Sequence, residues 1–164
     1  MTPQPLRASF HSSDGMRIHY AVDGSSSPWR QRPTIVMLHA AMGSMTAFTT
    51  GCQRCWAVGG WCGWICWGHG DSEGPPADTT LDVHRLTLDL VELLDHLGLD
   101  RGHLVGSSAG GVIALHMAAL HPQRLASLAA FAAIPPHREG IAARGWQVEE
   151  PGDAFTIVRR CWPL

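Results

Sequence analysis

The chain has 164 residues, enough for one domain, and its 45% hydrophobic and 16% charged content excludes disorder and supports a sizeable core. Its 12 basic residues are all Arg, and against 14 acidic residues they leave a formal net charge of −2, which argues against a nucleic-acid-binding or polybasic membrane-surface protein. No apolar run is long enough for a membrane span, and the N-terminus MTPQPLRASF lacks the apolar core of a secretory signal, so a cytoplasmic chain is expected.

Residues 8–23 predict a hairpin. Asp14-Gly15 is the turn signal, and Met16, Ile18 and Tyr20 alternate with Arg17, His19 and Ala21. A polar loop, Gly24 to Pro33, leads into Thr34–His39 (TIVMLH), a short apolar run of the kind buried on both faces of a parallel sheet. From Leu81 to Leu97 the period becomes helical, with Val83, Leu86, Leu90, Leu93, Leu94 and Leu97 on one face. Thr79 or Thr80 can cap its start, and Gly98 stands where a left-handed terminating residue belongs. A short strand at His103–Val105, a Gly-Ser-Ser turn and a helix from Ala109 to His121 follow, with Pro122 beyond its end. Leu125–Ile134 is a further buried strand, stopped by Pro135-Pro136. Gly140 to Leu164 shows no clear period. Strand, helix, strand, helix, strand implies an α/β fold: a mostly parallel sheet with helices on both faces.

Gly106-Ser107-Ser108-Ala109-Gly110 matches G-x-S-x-G between a buried strand and a helix, as a nucleophile elbow requires. Small residues let strand and helix approach, and the central Ser projects at a helix N-terminus, where the dipole favours developing negative charge. The plainer alternative is that Ser107-Ser108 only caps the helix. Two further motifs accompany the elbow: His39-Ala40-Ala41-Met42-Gly43-Ser44 after the TIVMLH strand, and Gly68-His69-Gly70-Asp71-Ser72.

Over residues 8–137 these three motifs, in this order, resemble the α/β-hydrolase superfamily, in its serine-hydrolase, esterase-like form. The resemblance implies the α/β-hydrolase fold, with Ser108 as nucleophile, the backbone N–H groups of Ala41 and Ala109 as oxyanion hole, and His39 and Ser107 beside the substrate. It implies no metal and no cofactor. Ala40 departs from the family's usual Gly, though a small residue still fits. Ser at position 108 disfavours the dehalogenase and epoxide hydrolase branches, which use Asp there, and favours a small ester, lactone or similar acyl substrate.

In this family the acid and the histidine of the triad follow the nucleophile, on loops after later strands. Here Glu139, Glu149, Glu150 and Asp153 follow no recognisable strand. His116 and His121 belong to the helix after the elbow, and His137 stands where a cap segment begins. The expectation is therefore an N-terminal part of a hydrolase core over residues 1–137, with 138–164 opening a cap or ending as a truncated tail, and little turnover by the chain as it stands. Oligomeric state is not legible.

Residues 48–67 are anomalous. CQRCWAVGGWCGWICW, at 52–67, carries four Trp and four Cys where the family has a helix and a buried strand. Cys52, Cys55, Cys62 and Cys66 suggest a thiolate metal site and a binding module as a rival function, but their spacing matches no zinc ribbon or finger. A remnant without catalysis is the other rival. A shifted reading frame fits the segment better than a metal site. Every Cys and Trp codon begins with TG; read two nucleotides on, each becomes xTG, encoding Leu, Val or Met. With GC-rich codons, Phe48 to Trp67 re-reads as HDWLPALLGGRGVVRVDLLG, which runs directly into His69-Gly70-Asp71-Ser72. Two compensating frame changes, near Phe48 and near Gly68, account for this pattern. Resequencing codons 45 to 72 is expected to reveal both shifts; a clean read in the present frame overturns the idea.

Overall fold

The computed structural model describes residues 6–22, 34–44, 60–64, 69–79, 82–133, 146–149 and 155–160. The expected hairpin forms from β1 (Leu6–His11) and β2 (Arg17–Val22), antiparallel, with Leu6 opposite Val22 and His11 opposite Arg17. Gly15 closes its turn at φ 88°, a conformation most side chains resist. Next come β3 (Thr34–Leu38), β4 (Gly60–Trp64), α1 (Val83–His96), β5 (Gly102–Ser107), α2 (Ala109–Leu120) and β6 (Leu125–Phe131). Two more strands, β7 (Trp146–Glu149) and β8 (Phe155–Arg160), complete an eight-stranded sheet ordered β1-β2-β4-β3-β5-β6-β8-β7.

The central strands β4, β3, β5 and β6 run parallel. From β3 the chain goes to β4 on one side and then returns to β5 on the other. The strand order therefore reverses at β3, and the chain leaves the carboxyl ends of β3 and β5 in opposite senses. Such a switch point opens a crevice at those ends without any further device.

Two segments differ from the sequence expectation. The Trp/Cys/Gly run supplies β4, parallel to β3 with Cys62 opposite Val36 and antiparallel to β2 with Trp64 opposite Tyr20. A parallel ladder is built from backbone groups, so a run that reads poorly by side-chain type can still occupy the strand position. Cys52, Cys55 and Cys66 lie outside the described residues. The second lies in 140–164, which showed no clear period: β8 from this stretch pairs antiparallel with the edge of β6, from Leu128 opposite Val158 to Phe131 opposite Phe155. The run Phe155-Thr156-Ile157-Val158 has the aromatic and β-branched content that suits a strand. β6 itself stops at Phe131, before the expected Ile134, because Ala132 turns to φ 50°.

α1 starts two residues later than its apolar period suggested, and its cap is Asp82 rather than Thr79 or Thr80: the Asp82 carboxylate accepts from the His84 N–H at 2.9 Å. Gly98 ends the helix at φ 67°, as expected, and the Leu99 N–H returns to the Leu94 carbonyl at 2.8 Å. α1 and α2 pack against each other, and α2 also lies against β3, β5 and β6. The core between them includes Leu38, Leu90, Leu93, Leu94, Leu104, Leu115 and Met117, all buried.

One charged group is buried beside this core. Asp89 of α1 has no exposed surface, and Arg85 donates to its Oδ1 from Nε (3.1 Å) and Nη2 (2.6 Å). Arg85 also reaches Glu92 at 2.7 Å, Asp14 at 3.4 Å and the Ser13 hydroxyl at 3.2 Å. Ser13 in turn donates its N–H and its hydroxyl to Glu92, both at 2.7 Å. The β1–β2 turn is thereby fastened to α1. Burial pushes Asp89 up to about 6, outweighing the Arg85 guanidinium, and its Oδ2 has no partner among the described residues. Burial also acts to raise Glu92, but the hydrogen bonds from Arg85 and Ser13 prevail and hold it below its ordinary value. A carboxyl raised in the folded state stabilises fully below its unfolded value of 3.8, and that contribution is lost as pH rises through about 6. Asp89→Asn removes this loss. Between pH 4 and 7 the variant is expected to gain about 2 kcal/mol relative to wild type, by urea unfolding. Parallel pH profiles would show that Asp89 titrates normally.

Candidate active site

The chain leaves β5 through Ser108, which holds φ 51° and ψ −116° before α2 begins. A non-glycine residue with positive φ costs about 1 to 3 kcal/mol and persists only where its surroundings fix it. Two hydrogen bonds do so here. The Ser108 N–H donates to the Phe131 carbonyl at the end of β6 at 2.8 Å, and the Ser108 carbonyl accepts the Val112 N–H at 2.9 Å. The Ser108 side chain makes no capping hydrogen bond, so the plainer alternative, a serine that merely caps the helix, does not describe it. The residue is exposed.

The glycines around Ser108 are demanded by contact. A Cβ on Gly106 would sit 2.5 Å from the Gly110 carbonyl oxygen and 2.7 Å from the Gly111 nitrogen. A Cβ on Gly110 would run into the Leu38 carbonyl and lie 2.7 Å from the His39 carbonyl oxygen. The first turn of α2 is thus pressed against the end of β3, where the next loop starts.

That loop, residues 39–44, is held by its own carbonyls. His39 is buried, 4% exposed, and its Nδ1–H donates to the Ala40 carbonyl at 2.7 Å. The Gly43 N–H donates to the same oxygen at 2.8 Å. The Ala40 carbonyl and the Ala41 N–H share one planar trans peptide and point oppositely. Drawing that carbonyl into the loop therefore turns the Ala41 N–H away from it, and this N–H has no partner among the described residues. Ala109, the first residue of α2, likewise has an N–H with no intrahelical acceptor. Met42 is 99% exposed.

A third segment meets this loop. The His69 Nε2–H donates to the Ala41 carbonyl, and the His69 and His39 rings lie 5.1 Å apart. Burial, chiefly, keeps His39 below its ordinary value; the Ala40 carbonyl opposes this and nearby His69 adds to it, so the ring is neutral near pH 7. His69 belongs to a turn pinned to β2. The His19 N–H donates to the Ser72 hydroxyl at 2.9 Å, and the Glu73 N–H to the Arg17 carbonyl at 2.9 Å. The Ser72 N–H closes the turn on the His69 carbonyl at 3.1 Å. Asp71 lies 3.5 Å from both Arg7 and His19. His19, expected on the polar face of the hairpin, is buried beneath this turn, and burial lowers its pKa. The sequence motif pointed to residues 68–72 but assigned them no work; the contact between His69 and Ala41 depends on a turn distant in sequence from the loop it meets.

Of the residues singled out in the sequence, Ser108, Ala109 and the 39–44 loop come together around the Gly110 contact. Ser107 ends β5 opposite Phe131 and is partly buried. His116 donates its Nδ1–H to the Val112 carbonyl at 3.0 Å. At about 1.5 Å of rise per residue, it stands roughly 12 Å along α2 from Ser108, and His121 lies farther still. Glu149 ends β7, whereas His137, Glu139, Glu150 and Asp153 lie outside the described residues.

A family model described as alpha/beta hydrolase fold matches residues 33–158. Over 63 residues the chain is 44% identical to Epoxide hydrolase A of Mycobacterium tuberculosis, a match covering 38% of this chain and 20% of that protein. Over 165 residues it is 27% identical to "Putative carbamate hydrolase RutD" of Caulobacter vibrioides, covering 95% of this chain and 50% of that protein. Among solved structures, a hydrolase from Pseudomonas aeruginosa superposes with a TM-score of 0.70 at 26% identity, over 79% of this chain and 48% of that one. The chain thus spans half or less of the length of these relatives.

The glycine contacts make a stability prediction. Gly110→Ala forces a methyl group into the Leu38 and His39 carbonyls and is expected to cost about 1 to 3 kcal/mol or more. A thermal melt unchanged from wild type would show that the contact yields freely.

Proposed function

Because the chain belongs to the α/β-hydrolase family, we propose that it is a hydrolase of a carboxylic ester, lactone or similar small acyl substrate, with Ser108 as nucleophile. The observation that carries the proposal is the strained, exposed Ser108 at the strand-order switch, two residues before the Gly110 backbone that meets the start of the 39–44 loop. In the proposed reaction the Ser108 oxygen bonds to the acyl carbon and the carbonyl electron pair moves onto oxygen, where the N–H groups of Ala41 and Ala109 receive it. Each such donor is worth roughly 3 to 4 kcal/mol in a preorganised site. The serine proton passes through a histidine base to the leaving alcohol, and water then releases the acid. Neither His116 nor His121 reaches Ser108, so the base is proposed to come from outside the described residues. His39 and Ser107 are proposed to flank the substrate.

Chemistry also chooses among the relatives. A serine opening an epoxide would form an ether, which water does not cleave, whereas a serine acylated by an ester or carbamate carries a bond that water can hydrolyse. A hydroxyl at position 108 therefore supports acyl rather than epoxide substrates. Without a placed base, turnover is expected to fall on the order of 10⁶-fold below that of a full triad. Acylation is consequently the sensitive readout. After long incubation with p-nitrophenyl acetate, peptide mass spectrometry is expected to find the acetyl group on Ser108, and to find none at that site in Ser108→Ala. Acetylation confined to other residues would overturn the assignment.

A further inference from the structure

Of the two peptide planes that flank Ala41, the one before it is set by the loop itself, through His39 and Gly43 on the Ala40 carbonyl. The one after it ends in the Ala41 carbonyl, and among the described residues the side chain bonded there comes from a different segment, His69. The Ala41 N–H lies in the first of these planes; holding the second as well restrains the two soft backbone angles of Ala41 between them, so the first plane, and the N–H in it, has less room to rock.

We propose that His69 is a positioning residue of this site: by holding the Ala41 carbonyl it locks the Ala41 N–H in the direction an oxyanion needs. The proposal rests on the acyl-transfer reading given above, but its physical core, the lock on the loop, can be tested separately. Three features support it. The hydrogen bond joins two loops that lie 28 residues apart in the chain. The histidine ring packs against that of His39, so its rotamer is restrained on a second side. And the turn that carries His69 is itself braced on β2, through Ser72 on His19 and Glu73 on Arg17, so the pull on Ala41 is referred to the sheet and not to a loose loop.

The role requires an N–H donor that reaches a carbonyl; it requires neither a charge nor a proton transfer. Gln at position 69 can supply such a donor, and Ala cannot. Amide hydrogen exchange by mass spectrometry reads the lock directly, in the 164-residue chain and its His69→Ala and His69→Gln variants. In His69→Ala, peptides covering residues 39–44 are expected to exchange roughly three- to tenfold faster, as for loss of one hydrogen bond, and His69→Gln to restore most of the protection. The β1–β2 hairpin peptides serve as the check that the variants are folded. The rate of Ser108 acetylation is expected to follow the same order, wild type and Gln above Ala. Unchanged exchange in His69→Ala, or faster exchange that Gln fails to restore, overturns the positioning role. If the loop loosens as expected but wild-type Ser108 is never acetylated, the lock stands and the acyl-transfer reading falls.

Discussion

The carboxyl edge of the sheet depends on the place where the Gly110 backbone presses against the carbonyls of Leu38 and His39. This contact joins the start of the elbow helix to the start of the 39–44 loop with no side chain between them. It brings two N–H groups without a backbone partner among the described residues, at Ala41 and Ala109, into one region, though they are far apart in sequence. Everything else at the edge serves to keep that approach close. Gly106 lets β5 pass beneath the first helical turn, and the Phe131 carbonyl receives the strained Ser108 N–H from the neighbouring strand. Ala132, the residue after Phe131, also has a positive φ. Two adjacent strands thus end in unfavourable conformations side by side, and at Ser108 hydrogen bonds and backbone packing over-determine the strained angle.

Position in the fold gives the site its chemistry. An open parallel sheet whose order reverses at β3 makes a crevice at that point whatever residues line it. The sequence contributes what fills the crevice: a hydroxyl on a tight turn, small residues where backbones meet, and carbonyl-bound histidines behind the loop. The fastening of the β1–β2 turn to α1 through Arg85, Asp89 and Glu92 works at a distance from this edge. It ties down the hairpin whose inner strand braces the His69 turn.

Much of this could be read from the residues alone, and what could not has physical causes. The apolar period of α1, the Gly98 terminus and the tight strand-to-helix turn at Ser108 are local signals, and these local signals carried through. The cap of α1 is Asp82 and not a preceding threonine, because the choice among neighbouring polar residues is decided by which side chain reaches the helical N–H. β4 was missed because its Trp, Cys and Gly residues do not look like a buried strand, while the ladder that defines it uses only backbone. β7 and β8 lacked a readable period because a strand held by neighbours on one sheet needs no alternation strong enough to stand out. The bond from His69 to Ala41 could not be seen in advance, since it joins two loops brought together by the sheet.

The donors proposed at Ala41 and Ala109 are main-chain amides, which every residue except proline carries. Exchange of these side chains during evolution therefore leaves the donors in place. Heritable change can reach them only by way of their supports: the ring at 39, the ring at 69, the missing side chains at 106 and 110. Met42, almost wholly in solvent, carries no such burden. Lineages derived from this chain are free to vary there while the scaffold remains intact.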